Sequence, residues 1–329
     1  MAWRRGALRR LALYVAAGAV VAIAAQHAVL AQGIGGLGGK VVRIVIPGNP
    51  GGPGGVIAHL LANKLQIHLK ENVIVEYKPG AGGNIAMEYV ARSTPDGTTL
   101  SFAVPALVTN PYFQKHSLEP DVMEPVIQLN SGPFVLLVNP ASGMKTAAEV
   151  IAKIRAEPGR IGCNVGAVAT ATVSCYLLQA HAGPMMMVAY QGGAQGLAAL
   201  ERNEIQTAFD FTSSSAGPVR EGRLRAVALT STEPGTGDFK GVPSLSDVIP
   251  GFEIIGWQGI TVAKGTPRDI VMKLNEAFNK VLAEEEVKEF MRKGNLNLVG
   301  GTPEAFAARI KRDYAFYGRV ARDNKIEPQ

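Results

Sequence analysis

Along this chain, short and almost wholly apolar runs alternate with longer stretches whose apolar residues recur every third or fourth position. Residues 41–46 (Val-Val-Arg-Ile-Val-Ile) read as a strand covered on both faces, as the strands of a parallel sheet are. Val56, Ile57, Leu60, Leu61 and Leu65 then fall on one helical face. The alternation continues with strands at 73–77 and 99–103, around a helix at 84–93. Two further strands are expected at 126–129 and 134–138, split by Ser131-Gly132-Pro133, with passage into a second domain there. Helices at 146–156, 171–181 and 194–202 follow, interleaved with strands at 161–165, 186–190, 205–210 and 224–229. Residues 211–215 read as a polar turn. A returning strand at 257–263 precedes a helix opened by Thr266 as N-cap, Pro267 and Asp269, a segment at 285–293 and a last helix from Pro303. Strands alternating with helices predict an α/β fold around a parallel sheet.

Two glycine-rich turns interrupt this pattern at strand ends. The first is residues 47–55, with Gly48, Asn49, Gly51, Gly52, Gly54 and Gly55. The second is residues 78–84, with Gly80, Ala81, Gly82, Gly83 and Asn84. Glycine leaves backbone N–H groups uncovered, and a helix that follows adds its own free N–H groups and the positive end of its dipole. Two such turns side by side form an anion site that needs no Lys or Arg. Neither ends in the Gly-Lys-Ser/Thr of a nucleotide phosphate loop, and the glycine spacing is not that of a dinucleotide-binding fingerprint.

Charge changes the picture only at the N-terminus. Arg4, Arg5, Arg9 and Arg10 precede the apolar residues 11–25, and Val29-Leu30-Ala31 offers a small-residue cleavage site, so residues 1–31 read as an export signal. Arg9-Arg10 leaves twin-arginine export open beside the general route. The chain carries 33 basic and 27 acidic residues, net +6; four of the basic and none of the acidic residues lie in 1–31, which leaves 29 against 27, or +2. No basic tract with interleaved aromatics supports nucleic-acid binding. Residues 32–40 are expected to be a flexible leader. Cys163 and Cys175, the two cysteines, are read as either a disulfide or two buried thiols. Scattered histidines and the absence of a Cys-x-x-Cys give no catalytic set, no metal site and no cofactor. Met185-Met186-Met187 is read as core strand packing, Trp257 as structural, Tyr190 as reaching a cleft or bracing its hinge side, and Asp210 as a turn cap or a ligand contact.

The loops, their order and their spacing resemble the periplasmic solute receptors of the tripartite tricarboxylate transporter group, the Bug family. The matching strings include Ile44-Val45-Ile46-Pro47, Lys78-Pro79-Gly80-Ala81-Gly82-Gly83-Asn84-Ile85, Thr94-Pro95-Asp96-Gly97, Leu137-Val138-Asn139-Pro140, Tyr190-Gln191-Gly192 and Gly265-Thr266-Pro267, and the likeness spans residues 42–328. The resemblance implies a type II periplasmic-binding-protein fold with lobe 1 at 41–134 and 258–329 and lobe 2 at 135–257. It implies a monomeric receptor of the periplasm that takes a small organic carboxylate, mono- or dicarboxylate, and passes it to membrane transporter subunits. A membrane sensor as partner and an exported enzyme are the alternatives. It places one ligand carboxylate on the glycine turns, and the far end on second-lobe hydroxyls, by position Thr170, Thr172 and Thr212. Three departures stand out: Gly48 where the family has an aromatic residue, Gly54-Gly55 where it often has Thr-Asp, and Val173-Ser174 where it often has a histidine.

Overall fold

The computed structural model describes Leu37 and residues 39–50, 53–166, 169–190 and 193–324, with Ile326 and Pro328. The signal expected at 1–31, most of the leader, and Gly51 and Gly52 lie outside the described residues. Strand β1 (Val42–Ile46) pairs in parallel with β2 (Val73–Tyr77) and β3 (Thr99–Ala103). Helix α1 (Pro53–Leu69) crosses from β1 to β2, and α2 (Asn84–Ala91) from β2 to β3. Ile57, Leu61, Leu65 and Leu69 recur every fourth residue of α1 and are buried beneath it, against Ile44 and Leu100 of the sheet. Helix α3 (Ala106–Phe113) then leads to β4 (Met123–Val138).

The second half repeats the plan: α4 (Ala147–Ala156), β5 (Gly162–Gly166), α5 (Ala169–Ala182), β6 (Met186–Tyr190), α6 (Gly193–Glu201), β7 (Thr207–Phe211), α7 (Thr212–Arg220) and β8 (Arg225–Leu229). The chain returns through β9 (Ile255–Ala263), α8 (Arg268–Leu282), α9 (Glu285–Lys293), β10 (Asn297–Gly300) and α10 (Pro303–Asp323). The strand order is β2-β1-β3-β9-β4-β7-β5-β6, with β8 and β10 also on β4. Because β1–β3 and β5–β7 are parallel within their halves, the carboxyl ends of both sets, and the helix starts that follow them, are available to a shared cleft.

The expected break at Ser131-Gly132-Pro133 is absent. β4 is one strand of 16 residues. Its first half pairs with β9 as far as Pro133↔Ile255, and its second half pairs with β7 from Phe134↔Phe211 onward. The turn-forming residues mark a change of pairing partner, not an end of the strand. Proline is tolerated there because the ladder is already irregular where one neighbour is exchanged for another.

Other expectations are corrected too. Residues 212–220 form helix α7, not a turn. The Thr266 hydroxyl donates to the Ala263 carbonyl at 2.8 Å instead of capping α8, whose first turn has no side-chain cap. Thr302 does cap α10, accepting from Ala305 N–H at 3.2 Å. Met186 is 42% exposed, because β6 is the last strand of the sheet; Met185 is buried. Helix α3 and strand β10 were not anticipated: α3 has only eight residues with Pro111 among them, and β10 only four. Cys163 of β5 and Cys175 of α5 are joined as a disulfide, both wholly buried.

Candidate functional site

Between the halves lies a cleft of about 1200 Å³. No Asp, Glu, Lys, Arg or His lines it among the described residues. One wall is the pair of glycine turns. Gly48, Asn49, Gly54 and Gly55 come from the first, and Gly80, Ala81, Gly82 and Gly83 from the second. Gly54 and Gly55 are the second and third residues of α1, so their N–H groups have no acceptor within the helix.

The second turn is built to present donors only. Its residues 80–83 all have positive φ, at 123°, 46°, 58° and 101°, a conformation that glycine adopts at little cost and that Ala81 adopts under strain. The carbonyls are used inside the fold: Gly80 O accepts from Gly83 N–H at 2.9 Å, Ala81 O from Asn84 N–H, and Gly82 O from Asn110 Nδ2 at 3.1 Å. Among the described residues, the N–H groups of Ala81 and Gly82 have no acceptor. A wall with its acceptors occupied and its donors unpaired attracts an anion without any charged side chain.

Packing explains why glycine stands where the family resemblance leads one to expect Thr-Asp. A Cβ on Gly55 would sit 2.7 Å from the Tyr77 hydroxyl, and one on Gly54 would sit 3.3 Å from the Phe102 ring. Those two aromatics occupy the room that larger residues would need. Tyr77 is held in turn by His59, whose Nε2 is 3.0 Å from its hydroxyl.

The opposite wall is made by the first turns of α5, α6 and α7. Thr170, Thr172, Gly193, Ser213 and Ser214 line it, with Val165, Tyr176, Ala189 and Phe211 as its apolar part. Thr170 is buried near Tyr317 of α10. Behind Ser214 lies Asp210, 5% exposed, whose Oδ2 accepts from Ser214 Oγ at 2.6 Å. Burial raises its carboxyl from the ordinary 3.8 to about 6, opposed by the Ser214 hydroxyl and the Phe211 N–H.

The crossover strands form the floor. Asn130 of β4 and Gln258 of β9 line the cleft, with Asn130 Nδ2 donating to Gln258 Oε1 at 2.8 Å. Trp257 also lines it and is 1% exposed; its Nε1 donates to Asp313 Oδ2 at 2.9 Å. Arg309 Nε donates to the same carboxylate at 2.6 Å, and Arg309 Nη2 to Ile255 O at 2.8 Å, which ties α10 to the floor.

Of the residues singled out from sequence, Asn84, Tyr190, Asp210 and Thr212 are not among the lining residues. Asn84 faces Asn110, Gln114 and Ser117. Tyr190 packs against the hydrophobic cluster that contains Leu200 and Ile205. Thr212 is buried, with its hydroxyl directed at Pro133 O, where β4 changes partners. Gln114, Ser213, Ser214, Phe102, Tyr176 and Gln258 line the cleft without having been singled out. The two serines belonged to the polar stretch already noted, but their position relative to Thr212 depends on helix phase. Among the described residues no group of His, Cys, Asp and Glu could hold a metal ion, and no helix is long and apolar enough to cross a membrane.

Two α/β lobes sharing crossover strands, with a polar-walled cleft between them, define a solute-binding protein of the periplasmic-binding-protein fold. The sequence profile of the tripartite tricarboxylate transporter family receptor matches residues 57–323, and the chain belongs to that family. It is 27% identical over 262 residues to the UPF0065 protein in the tcbD-tcbE intergenic region of Pseudomonas sp. strain P51, covering 78% of this chain and 77% of that protein. Among solved structures it is similar to the periplasmic binding protein BugD, at 25% identity and a TM-score of 0.78, over 88% of this chain and 99% of that one. R. palustris Rpa4515, solved with adipate, is alike in fold at 24% identity and a TM-score of 0.79, over 88% and 98% of the two chains. The family is one of transporter receptors, and BugD is a periplasmic binding protein.

Proposed function

We propose that this protein is an exported receptor that closes on a small organic carboxylate with an apolar body and delivers it to the membrane subunits of a tripartite tricarboxylate-type transporter. The observation that carries this reading is the second glycine turn, with every carbonyl from Gly80 to Gly82 occupied and the Ala81 and Gly82 N–H groups without an acceptor among the described residues. A carboxylate on that wall gains charge-assisted hydrogen bonds in a cleft that sheds water as it closes. Phe102, Tyr176, Phe211 and Leu296 suit an apolar body beyond it. In this reading residues 1–31 are removed on export, the receptor works as a monomer in the periplasm, and the lobes divide as 41–134 with 258–329 against 135–257. Closure then bends the chain near 133–140 and 250–258, the region where β4 exchanges β9 for β7.

Native mass spectrometry of the receptor purified from its host, before and after denaturation, tests this. A small anion released on denaturation is the expected result, and adipate is among the first compounds to compare with it. A released cation or neutral compound, or a chain that binds no carboxylate in a subsequent calorimetric screen, overturns the reading.

A further inference from the structure

We infer that Gln114 supplies a side-chain donor to the carboxylate subsite at the second glycine turn and that Asn84 is the residue that points it. This rests on the carboxylate reading of the cleft and adds to it a specificity element that no glycine motif contains. Gln114 follows α3 and lines the cleft. Its Nε2 lies against the second glycine turn so closely that a Cβ on Gly82 would fall 2.0 Å from it.

The orientation of the Gln114 amide is fixed by a chain of hydrogen bonds that begins at a group with no choice. Gly82 O can only accept, so the Asn110 atom 3.1 Å away is Nδ2. The same Nδ2 lies 2.8 Å from Asn84, whose facing atom must therefore be Oδ1. The other end of the Asn84 amide is then Nδ2, which donates to Ser117 Oγ at 2.8 Å and to Gln114 at 3.2 Å. Ser117 agrees, because its single proton goes to Gln114 O at 3.1 Å and leaves its oxygen to accept. The Gln114 atom facing Asn84 is thus Oε1, and Nε2 is left on the cleft side, beside the Gly82 N–H.

The consequence is a three-donor seat, Ala81 N–H, Gly82 N–H and Gln114 Nε2, with no formal charge. Such a seat favours a carboxylate over the corresponding carboxamide, since an amide NH2 would meet donors only. Replacing Gln114 by Glu keeps the Asn84 bond and turns the cleft-side donor into an anionic acceptor. Replacing Asn84 by Asp removes the donor that Oε1 needs, so that the Gln114 amide turns over and presents its oxygen to the cleft.

The test is calorimetric titration of the receptor with straight-chain mono- and dicarboxylates of two to eight carbons, benzoate and phthalate, and with the primary amide of the tightest binder. For Gln114→Glu the expected result is a loss of at least about 100-fold for the carboxylate, and for Gln114→Ala roughly tenfold. For Asn84→Asp, which stands just outside the lining and bonds Gln114, the carboxylate-to-amide preference should fall about tenfold, and for Asn84→Leu, which removes the same donor without adding a charge, it should fall in the same direction, a change that mere loosening of the fold does not produce. Melting curves identify a variant that fails to fold. In that event a crystal structure of the unaltered receptor with the tightest binder decides, by whether Gln114 Nε2 lies within about 3.2 Å of a carboxylate oxygen. Carboxylate affinity unchanged within threefold in Gln114→Glu overturns the assignment of Gln114 alone. Failure of the unaltered receptor to bind any acid on the panel overturns the carboxylate reading, and the assignment with it.

Discussion

The two walls of the cleft face the same space but are made of different parts. The first-lobe wall is mostly backbone: two turns whose glycines expose N–H groups, the second with its carbonyls from Gly80 to Gly82 occupied within the fold and with Gln114 beside it. The second-lobe wall is side chain: Thr170, Thr172, Ser213 and Ser214 on helix starts, with the buried Asp210 behind them. A backbone wall changes little when side chains are exchanged, so it suits a feature common to many ligands. A hydroxyl wall is altered by any substitution, so it suits the features that distinguish one ligand from another.

The largest expected effect breaks the first wall. Gly82→Val should lower carboxylate affinity at least about 100-fold in calorimetry, because its Cβ displaces Gln114, and should also lower the melting temperature, because φ is +58°. Retained affinity would remove the distinction between the walls. The next effect belongs to the second wall. Reducing the Cys163–Cys175 bond, or replacing both residues by Ser, should cost about 3 kcal/mol in denaturant unfolding, the scale for a loop of this size. Hydrogen exchange should rise in α5 while residues 80–83 keep their rates; equal loosening of both would show that the walls are not independent.

Asp210 gives an effect of roughly 2–3 kcal/mol that depends on pH. Its folded value, about 6, lies above the ordinary 3.8. The stability gained from the protonated form is therefore complete below about pH 4 and is lost as pH rises through 6. Asp210→Asn should melt higher than the parent at pH 7.5, with the gap closing by pH 4. A gap independent of pH would mean that Asp210 does not carry a buried charge. The smallest effect is that of Thr170→Ala, at a buried residue of the second wall near Tyr317. It should shift relative affinities across acids with different distal groups by about threefold, while uniform weakening would place Thr170 in the framework and not in recognition.

The same contrast explains how much could be read in advance. β2 and β3 fall at the expected residues because apolar runs bounded by Gly, Pro and Asp are determined locally. The first wall was legible because glycine is needed where the second turn runs at positive φ and where Tyr77 and Phe102 crowd Gly55 and Gly54 in the first, and glycine is visible in a sequence. The second wall was legible only as a polar stretch. Starting α7 at Thr212 buries that residue and turns Ser213 and Ser214 outward, a phase that no composition reveals. Gln114 was invisible because it follows a two-turn helix with Pro111 in it, too short and irregular for periodicity to show. The continuity of β4 was hidden behind Ser131-Gly132-Pro133, whose turn chemistry is local while the pairing that overrides it is not.

That continuous strand has a consequence for how the molecule assembles. Met123–Val138 supplies one half with the neighbour of β9 and β10 and the other half with the neighbour of β7 and β8. Neither sheet is complete until the same 16 residues are in place. The two halves therefore share one folding decision: placing β4 commits both. The receptor is expected to unfold in a single cooperative transition, and a chain cut within β4 should yield two fragments that fold together or not at all.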